Sequence, residues 1–289
     1  MLTAAEARRL EHLRISTSRA SPAPGVRRAR TPGAGLEFHD FRAYQPGDDP
    51  RSIDWTIEAR LRQLLVRVCR AEGRTSVHLL VDISRSMTVG RPSKLACAVK
   101  MAAAFAYVAA ERRDGVACAT FDDRVRARVR PAAGRAQLHR VLGALTHLPG
   151  GGRSAIDPAL TSYAEAVRGP GLAIVLSDFL DADAREDGLR YLRYRGLAPV
   201  PIQVLADEDL APPVTGETEL VDSEDPSAAP LLVDAAAVRA YRDRLDARVA
   251  RLRQFCATHH LPYLQVPSST PFDDLVTVSV RAGLLALDE

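Results

Sequence analysis

The sequence is almost without lysine: of its 39 basic residues, only Lys94 and Lys100 are not arginine. So complete a bias reads first as a codon or genome preference and only second as chemistry. Aromatic residues make up 5% of the chain, with one tryptophan, so the core must be built mainly from Leu, Val, Ile and Ala. The four cysteines, Cys69, Cys97, Cys118 and Cys256, lie far apart with no CxxC pair. That spacing gives no support to a zinc or dithiol redox site and suits buried free thiols. No apolar run reaches the roughly 18 residues of a membrane span. The best candidate, Met101 to Ala110, is bracketed by Lys100 and Glu111. The N-terminus, MLTAAEARRLEHLR, lacks the apolar stretch and cleavage site of a signal peptide and reads as a short amphipathic helix. The net charge of +3 is too small an excess to mark a nucleic-acid binder. These absences together point to the reducing cytoplasm.

What is present is ordinary globular composition over 289 residues, 46% hydrophobic and 26% charged. At roughly 150 residues per domain this suggests about two domains, large enough to bury a core without staples. Ser18 to Gly35 is rich in Pro and Gly and breaks regular structure. Gln63 to Val68 suits a strand. From Arg74 the pattern changes. SVHLLVDIS, GVACATF, GLAIVLSDF, APVPIQVLA and LPYLQVP read as strands, and VRARVR alternates like an edge strand. Helices are expected at Lys94 to Arg113 with Ser93 as N-cap, Arg135 to Leu148, Ile156 to Val167, Asp183 to Tyr194 and Ala235 to Ala257. The tail, Phe272 to Leu287, carries one alternating segment, LVTVSV. Strands alternating with helices predict a mostly parallel, Rossmann-like α/β sheet. Between Arg195 and Arg239 there is no basic residue but nine acidic ones. That interval reads as a solvated hairpin or loop, with a partner-facing acidic patch as the alternative.

Ligand sites in open α/β sheets form beyond the carboxyl ends of the strands. There, directly after the apolar run HLLV, stands Asp82-Ile83-Ser84-Arg85-Ser86. One carboxylate and two hydroxyls at this spacing can converge in a tight loop. That is a hard oxygen environment suited to Mg²⁺. Gly150-Gly151-Gly152-Arg153-Ser154 brings another hydroxyl after flexible backbone, and Ser177-Asp178 ends the strand LAIVL. The expected metal set is Asp82, Ser84, Ser86, Ser154 and Asp178. Two carboxylates against a dication leave a position that a partner carboxylate can fill.

With these motifs in view, Thr75 to Pro267 resembles a von Willebrand factor A-like domain. Asp82, Ser84 and Ser86 match the first loop of its metal ion-dependent adhesion site. Ser154 stands where that family usually has threonine, and Asp178 matches the third loop, where the aspartate often acts through water. Upstream, Arg42-x-Tyr44-x-Pro46-Gly47-Asp48-Asp49-x-Arg51-x-Ile53-Asp54-Trp55, followed by Ala59-Arg60, resembles the hallmark of the bacterial DUF58 family. Many of its members carry N-terminal membrane helices, and this chain looks like the compact form. The resemblance implies a non-enzymatic interaction module using Mg²⁺, with Mn²⁺ or Ca²⁺ as alternatives, to recognise an acidic residue of a partner. It also implies an association with MoxR-type AAA+ ATPases. On their own chemistry, Arg42, Arg51 and Arg60 can pair with Asp48, Asp49 or Asp54, while Tyr44 and Trp55 supply apolar anchors.

The expected boundaries are 1–74 for the turn-rich segment, 75–267 for the A-like domain with an acidic insertion near 207–234, and 268–289 for a tail. Two other functions compete with this reading. A phosphohydrolase would use Asp82 as nucleophile beside a metal, but the position two residues on, where such sites want a second carboxylate, is Ser84. A nucleic-acid binder would draw on RVRARVR and the arginines of 239–253, which are interleaved with Asp243 and Asp246 as in a solvated helix face. P-loop and G-x-S-x-G motifs are absent.

Overall fold

The computed structural model describes residues 2–16, 37–44, 53–70, 76–146, 148, 151–181, 184–212, 218–220, 231–233 and 235–287. The chain divides into two compact units. One comprises Met1–Ala23 together with Thr75–Glu289, and the other is Pro24–Arg74. This differs from the expected 1–74 segment. Helix α1 (Ala4–Leu10) and strand β1 (Leu13–Ile15) belong to the larger unit, because Leu10, Leu13 and Ile15 are buried in its core. Strand β1 also pairs with the last strand of the chain.

In the smaller unit, β2 (Glu37–Ala43) pairs antiparallel with β3 (Leu65–Arg70). Between them lies α2 (Trp55–Leu61), whose N-terminal amides Thr56 and Ile57 donate to Asp54 Oδ1. Asp54 thus caps a helix, the use for which a short carboxylate is best suited.

The larger unit is built on β4 (Ser76–Asp82), β5 (Gly115–Phe121), β6 (Val125–Ala132), β7 (Gly171–Ser177) and β8 (Leu197–Leu205). With β11, described below, they form a six-stranded sheet in the order β11-β8-β7-β4-β5-β6. All neighbours are parallel except β6, the antiparallel edge. This is a mostly parallel, Rossmann-like α/β sheet. The helices are α3 (Lys94–Glu111), α4 (Arg135–Thr146), α5 (Ile156–Ala166), α6 (Asp187–Tyr194), the single turn α7 (Asp207–Leu210) and the long α8 (Ala235–Thr258). The Ser93 side chain caps α3 by accepting from the Ala96 amide.

Alternation along β4 sorts the core into two layers. Val77, Leu79 and Val81 join the cluster that includes α3 and α4, whereas Leu80 joins the cluster of α5, α6 and α8. Period-two side chains on a sheet covered on both faces give this division. His78, on the second face, is buried and hydrogen-bonds Tyr163 Oη at 2.8 Å.

Within the acid-rich interval, β9 (Thr218–Leu220) and β10 (Leu231–Val233) pair as an antiparallel hairpin. The chain then runs through α8 to β11 (Leu264–Pro267), α9 (Phe272–Arg281) and β12 (Leu285–Leu287). The alternating LVTVSV lies in α9, a helix, and 268–287 is part of the larger unit rather than a tail apart from it. Helix α6 begins at Asp187, with Glu186 in the left-handed conformation before it. The proposed earlier start at Asp183 lies outside the described residues.

Candidate functional site

Sheet order reverses at β4: the chain moves from it to β5 and β6 on one side, then returns to β7, β8 and β11 on the other. The loops after the adjacent strands β4 and β7 therefore diverge and leave a crevice, where ligands bind in folds of this type. Asp82 is the last residue of β4, and Ser177-Asp178 ends β7. All three are buried, as is Ser84.

The first loop is held by its own polar groups. The Ser84 amide donates to Asp82 Oδ1 at 2.8 Å, and Ser84 Oγ lies 3.1 Å from Ser86 Oγ. Ser177 Oγ donates to Asp82 Oδ2 at 2.6 Å and accepts from the Phe179 amide at 3.0 Å. Burial, and then the nearby Asp178 carboxylate, push the Asp82 carboxyl up to about 7, against the hydrogen bonds from Ser177 and Ser84.

The glycine loop meets the first loop through backbone. The Arg85 amide donates to the Gly152 carbonyl at 3.0 Å. A Cβ on Gly151 would overlap the Ile83 carbonyl, so only glycine allows this approach. Asp122, buried at the end of β5, holds the other side of that loop. Its Oδ2 accepts from the Gly152 amide at 3.0 Å, its carbonyl accepts from the Ala155 amide, and Arg126 Nε lies 2.6 Å from Oδ1. Burial would raise this carboxyl, but the Arg126 guanidinium and the amide donors outweigh it and hold it well below the usual range. Ser154 follows, buried, two residues before α5. Asp82, Ser84, Ser86, Ser154 and Asp178 thus all lie in loops at the carboxyl ends of adjacent strands or in the glycine loop pressed against them.

Asp178 has a partner that sequence reading missed. Lys94, at the first position of α3, is 1% exposed and donates to Asp178 Oδ2 at 2.7 Å. It also pairs with Asp209 Oδ2 of α7 at 2.9 Å. Burial opposes its charge, but Asp178 and Asp209 hold the ammonium above its ordinary range. Asp209 was expected in a solvated segment; instead it is turned inward, 12% exposed. Gln203 Nε2 donates to the Asp178 carbonyl while Gln203 Oε1 accepts from Tyr263 Oη, fixing the third loop from β8. Asp122 was missed as well; its signal was that the apolar strand GVACATF, like the two others, runs straight into an aspartate. The signals for Lys94 were its rarity and its place at a helix N-terminus, where a cation opposes the dipole.

The donor chemistry can be tested against a small hard cation. Neighbouring oxygens of an octahedral shell with bonds of about 2.1 Å lie roughly 3.0 Å apart, close to the Ser84–Ser86 separation. Asp82 accepts one hydrogen bond on each oxygen and retains lone pairs. Among the described residues there is no cluster of three or more His, Cys, Asp or Glu side chains placed to hold a metal. A cation here would rest on hydroxyls as much as on carboxylates.

In the smaller unit, Asp54 is a helix cap, and Trp55 is 60% exposed rather than an apolar anchor, because the first turn of α2 turns it outward. Arg60 is exposed, Tyr44 is half-buried and Arg42 lies on β2. Pro46, Gly47, Asp48, Asp49 and Arg51 lie outside the described residues.

Fold and site define an open α/β protein with a buried carboxylate–hydroxyl cluster where strand order reverses. The chain belongs to the family described as protein of unknown function DUF58, which matches residues 40–254. The uncharacterized proteins Rv1480 of Mycobacterium tuberculosis and Mb1516 of Mycobacterium bovis are each 31% identical to it over 200 residues. These matches cover 67% of this chain and 62% of each relative, so the chain spans about three-fifths of the length of the curated relatives it matches. Similar solved structures include the conserved hypothetical protein BatB from Bacteroides thetaiotaomicron, with 12% identity and a TM-score of 0.46. An aerotolerance-related membrane protein from Bacteroides fragilis has 15% identity and a TM-score of 0.47. Each comparison covers 72% of this chain and 98% of the other. Among the described residues no helix is long and apolar enough to cross a membrane.

Proposed function

We propose that the chain is a non-enzymatic interaction module of the von Willebrand factor A type. In this reading, Asp82, Ser84, Ser86 and Ser154, with Asp178 behind them, hold Mg²⁺ in a metal ion-dependent adhesion site. The cation, when bound, supplies a Lewis-acid contact for an acidic side chain of a partner protein. The observation that carries the reading is the meeting of the Asp82–Ser86 loop with the Gly151–Ser154 loop, beside Asp178, at the reversal of strand order. The residues themselves do positioning work. Ser177 orients the Asp82 carboxylate, Asp122 seats the glycine loop, and Lys94 balances Asp178. A MoxR-type AAA+ ATPase is the proposed partner class, with this chain as its adaptor.

Titration calorimetry with Mg²⁺ and Mn²⁺ on the intact chain and on Asp82→Ala tests the site. Capture of a purified MoxR-type ATPase, with Mg²⁺ and with EDTA, tests the partner. Binding is expected for the parent chain in Mg²⁺ and in neither EDTA nor the variant. Equal capture in every condition would sink the metal-mediated reading. Asp82-dependent hydrolysis of a phosphate ester in Mg²⁺ would favour a phosphohydrolase instead.

A further inference from the structure

Lys94 is an unusual residue for its place. It is one of two lysines in an arginine-rich chain, fully buried, and it opens a helix. The partial positive charge of a helix N-terminus disfavours a cation there. Two carboxylates from different loops compensate, Asp178 after β7 and Asp209 in α7. With Asp82 added, three carboxylates and one ammonium leave a formal charge of −2, which one divalent cation cancels. The Lys94 bond takes Asp178 Oδ2, while Asp178 Oδ1 accepts from the Leu180 amide at 3.1 Å. The ammonium therefore competes for the carboxylate that a cation at Asp82 would attract.

We infer that Lys94 is a built-in counter-cation that weakens divalent-cation binding by holding Asp178, and that it links site occupancy to the start of the acidic segment through Asp209. This rests on the reading of a cation site at Asp82. A cation bound there repels the ammonium and draws on Asp178, so Lys94 shifts its bonding toward Asp209. Asp209 Oδ2 also accepts from the Ala206 amide at 2.9 Å, and Ser269 Oγ donates to Asp207 Oδ1 at 3.0 Å. Tightening at Asp209 therefore firms the single turn 207–210 that opens the acidic segment. Coupling of this kind is reciprocal: a partner that engages the acidic segment and pulls on Asp209 alters cation affinity in turn.

The test is the affinity for Mn²⁺ alone, by calorimetry, on the full chain and three variants. Lys94→Met combined with Asp209→Asn keeps the formal charge at −2, frees Asp178 and leaves no buried ammonium unpaired. It is expected to bind Mn²⁺ about tenfold more tightly than the parent, the scale of one hydrogen bond to a charged group. Asp209→Asn alone commits Lys94 to Asp178 and is expected to bind severalfold more weakly. Asp82→Ala is the reference for the site itself. Hydrogen exchange at the amides of Asp209, Leu210 and Ala211 should slow on adding Mn²⁺ to the parent and stay unchanged in the double variant. A purely structural Lys94 predicts equal or weaker binding in the double variant. That result, with Asp82-dependent binding intact in the parent, overturns the inference and leaves the cation site standing. Absence of Asp82-dependent binding in both parent and double variant overturns both. If the double variant does not fold, unchanged affinity in Asp209→Asn overturns the inference on its own.

Discussion

At the scale of single residues, two glycines separate close approach from mere flexibility. Gly151 has no room for a Cβ, because the Ile83 carbonyl and Ser84 backbone lie where it would sit. Gly143, inside α4 and exposed, meets nothing within 4 Å. Gly151→Ala must push two backbone segments apart and is expected to cost about 1–3 kcal/mol, with loss of any Asp82-dependent cation binding. Gly143→Ala removes only helix-interior freedom and is expected to gain about 0.5–1 kcal/mol. Urea unfolding of both variants checks this; a harmless Gly151→Ala would mean that the loop contact does not shape the site. The same contrast explains what was legible beforehand. A strand ending in aspartate and followed by hydroxyls is a local pattern, so Asp82, Ser84, Ser86, Ser154 and Asp178 stood out in the sequence. The residues that hold them in place were not local. Lys94 lies 84 positions from Asp178, and Asp122 lies 30 from Gly152.

At the scale of elements, the central strands were legible because burial on both faces leaves unbroken apolar runs. Two elements were harder. LVTVSV alternates like a strand, yet Phe272, Leu275 and Ser279 are the buried residues of α9, at the three-and-four spacing of a helix. Ser279 tolerates burial because its hydroxyl donates to the Leu275 carbonyl one turn back. The arginines of α8 read as a solvated face, but Arg248 is 13% exposed and binds both Glu186 Oε1 and the Phe179 carbonyl. Arg251 binds the other Glu186 oxygen. This pins α8 to the start of α6 and to the residue just after Asp178. Arg248→Met leaves a buried carboxylate with only the half-exposed Arg251, and breaking such a pair costs on the order of 3 kcal/mol. Urea unfolding should register that loss, while Arg253→Met, whose partner Gln265 is neutral and whose bond is exposed, should change stability by less than about 0.5 kcal/mol. Equal small effects would place Arg248 with the solvated arginines after all.

At the scale of the whole molecule, stability against pH follows from which buried groups change their protons on folding. His78 sits in the central strand of the sheet, and burial lowers its pKa to about 4 from an ordinary 6.5. Between these values the unfolded chain takes up a proton that the native protein refuses. The stabilisation is therefore complete above about pH 6.5 and is lost as pH falls toward 4, by about 3 kcal/mol in all. Asp122 acts in a lower window, because its pKa is depressed: its contribution is present above the ordinary carboxyl value of 3.8 and is lost below it. Asp82 runs the other way. Raised to about 7 without a cation, it holds a proton in the native state that the unfolded chain releases, so its contribution grows as pH falls from 7. A bare acid titration would mix the three. Comparing the parent with His78→Gln in EDTA cancels both aspartates, and the amide can still reach the Tyr163 hydroxyl without titrating. The variant is expected to be less stable than the parent at pH 7.5. That deficit should shrink or reverse by about 2–3 kcal/mol at pH 4.5. Parallel losses in the two proteins would mean that His78 carries its proton in the native sheet, and that the buried face of β4 is open to water.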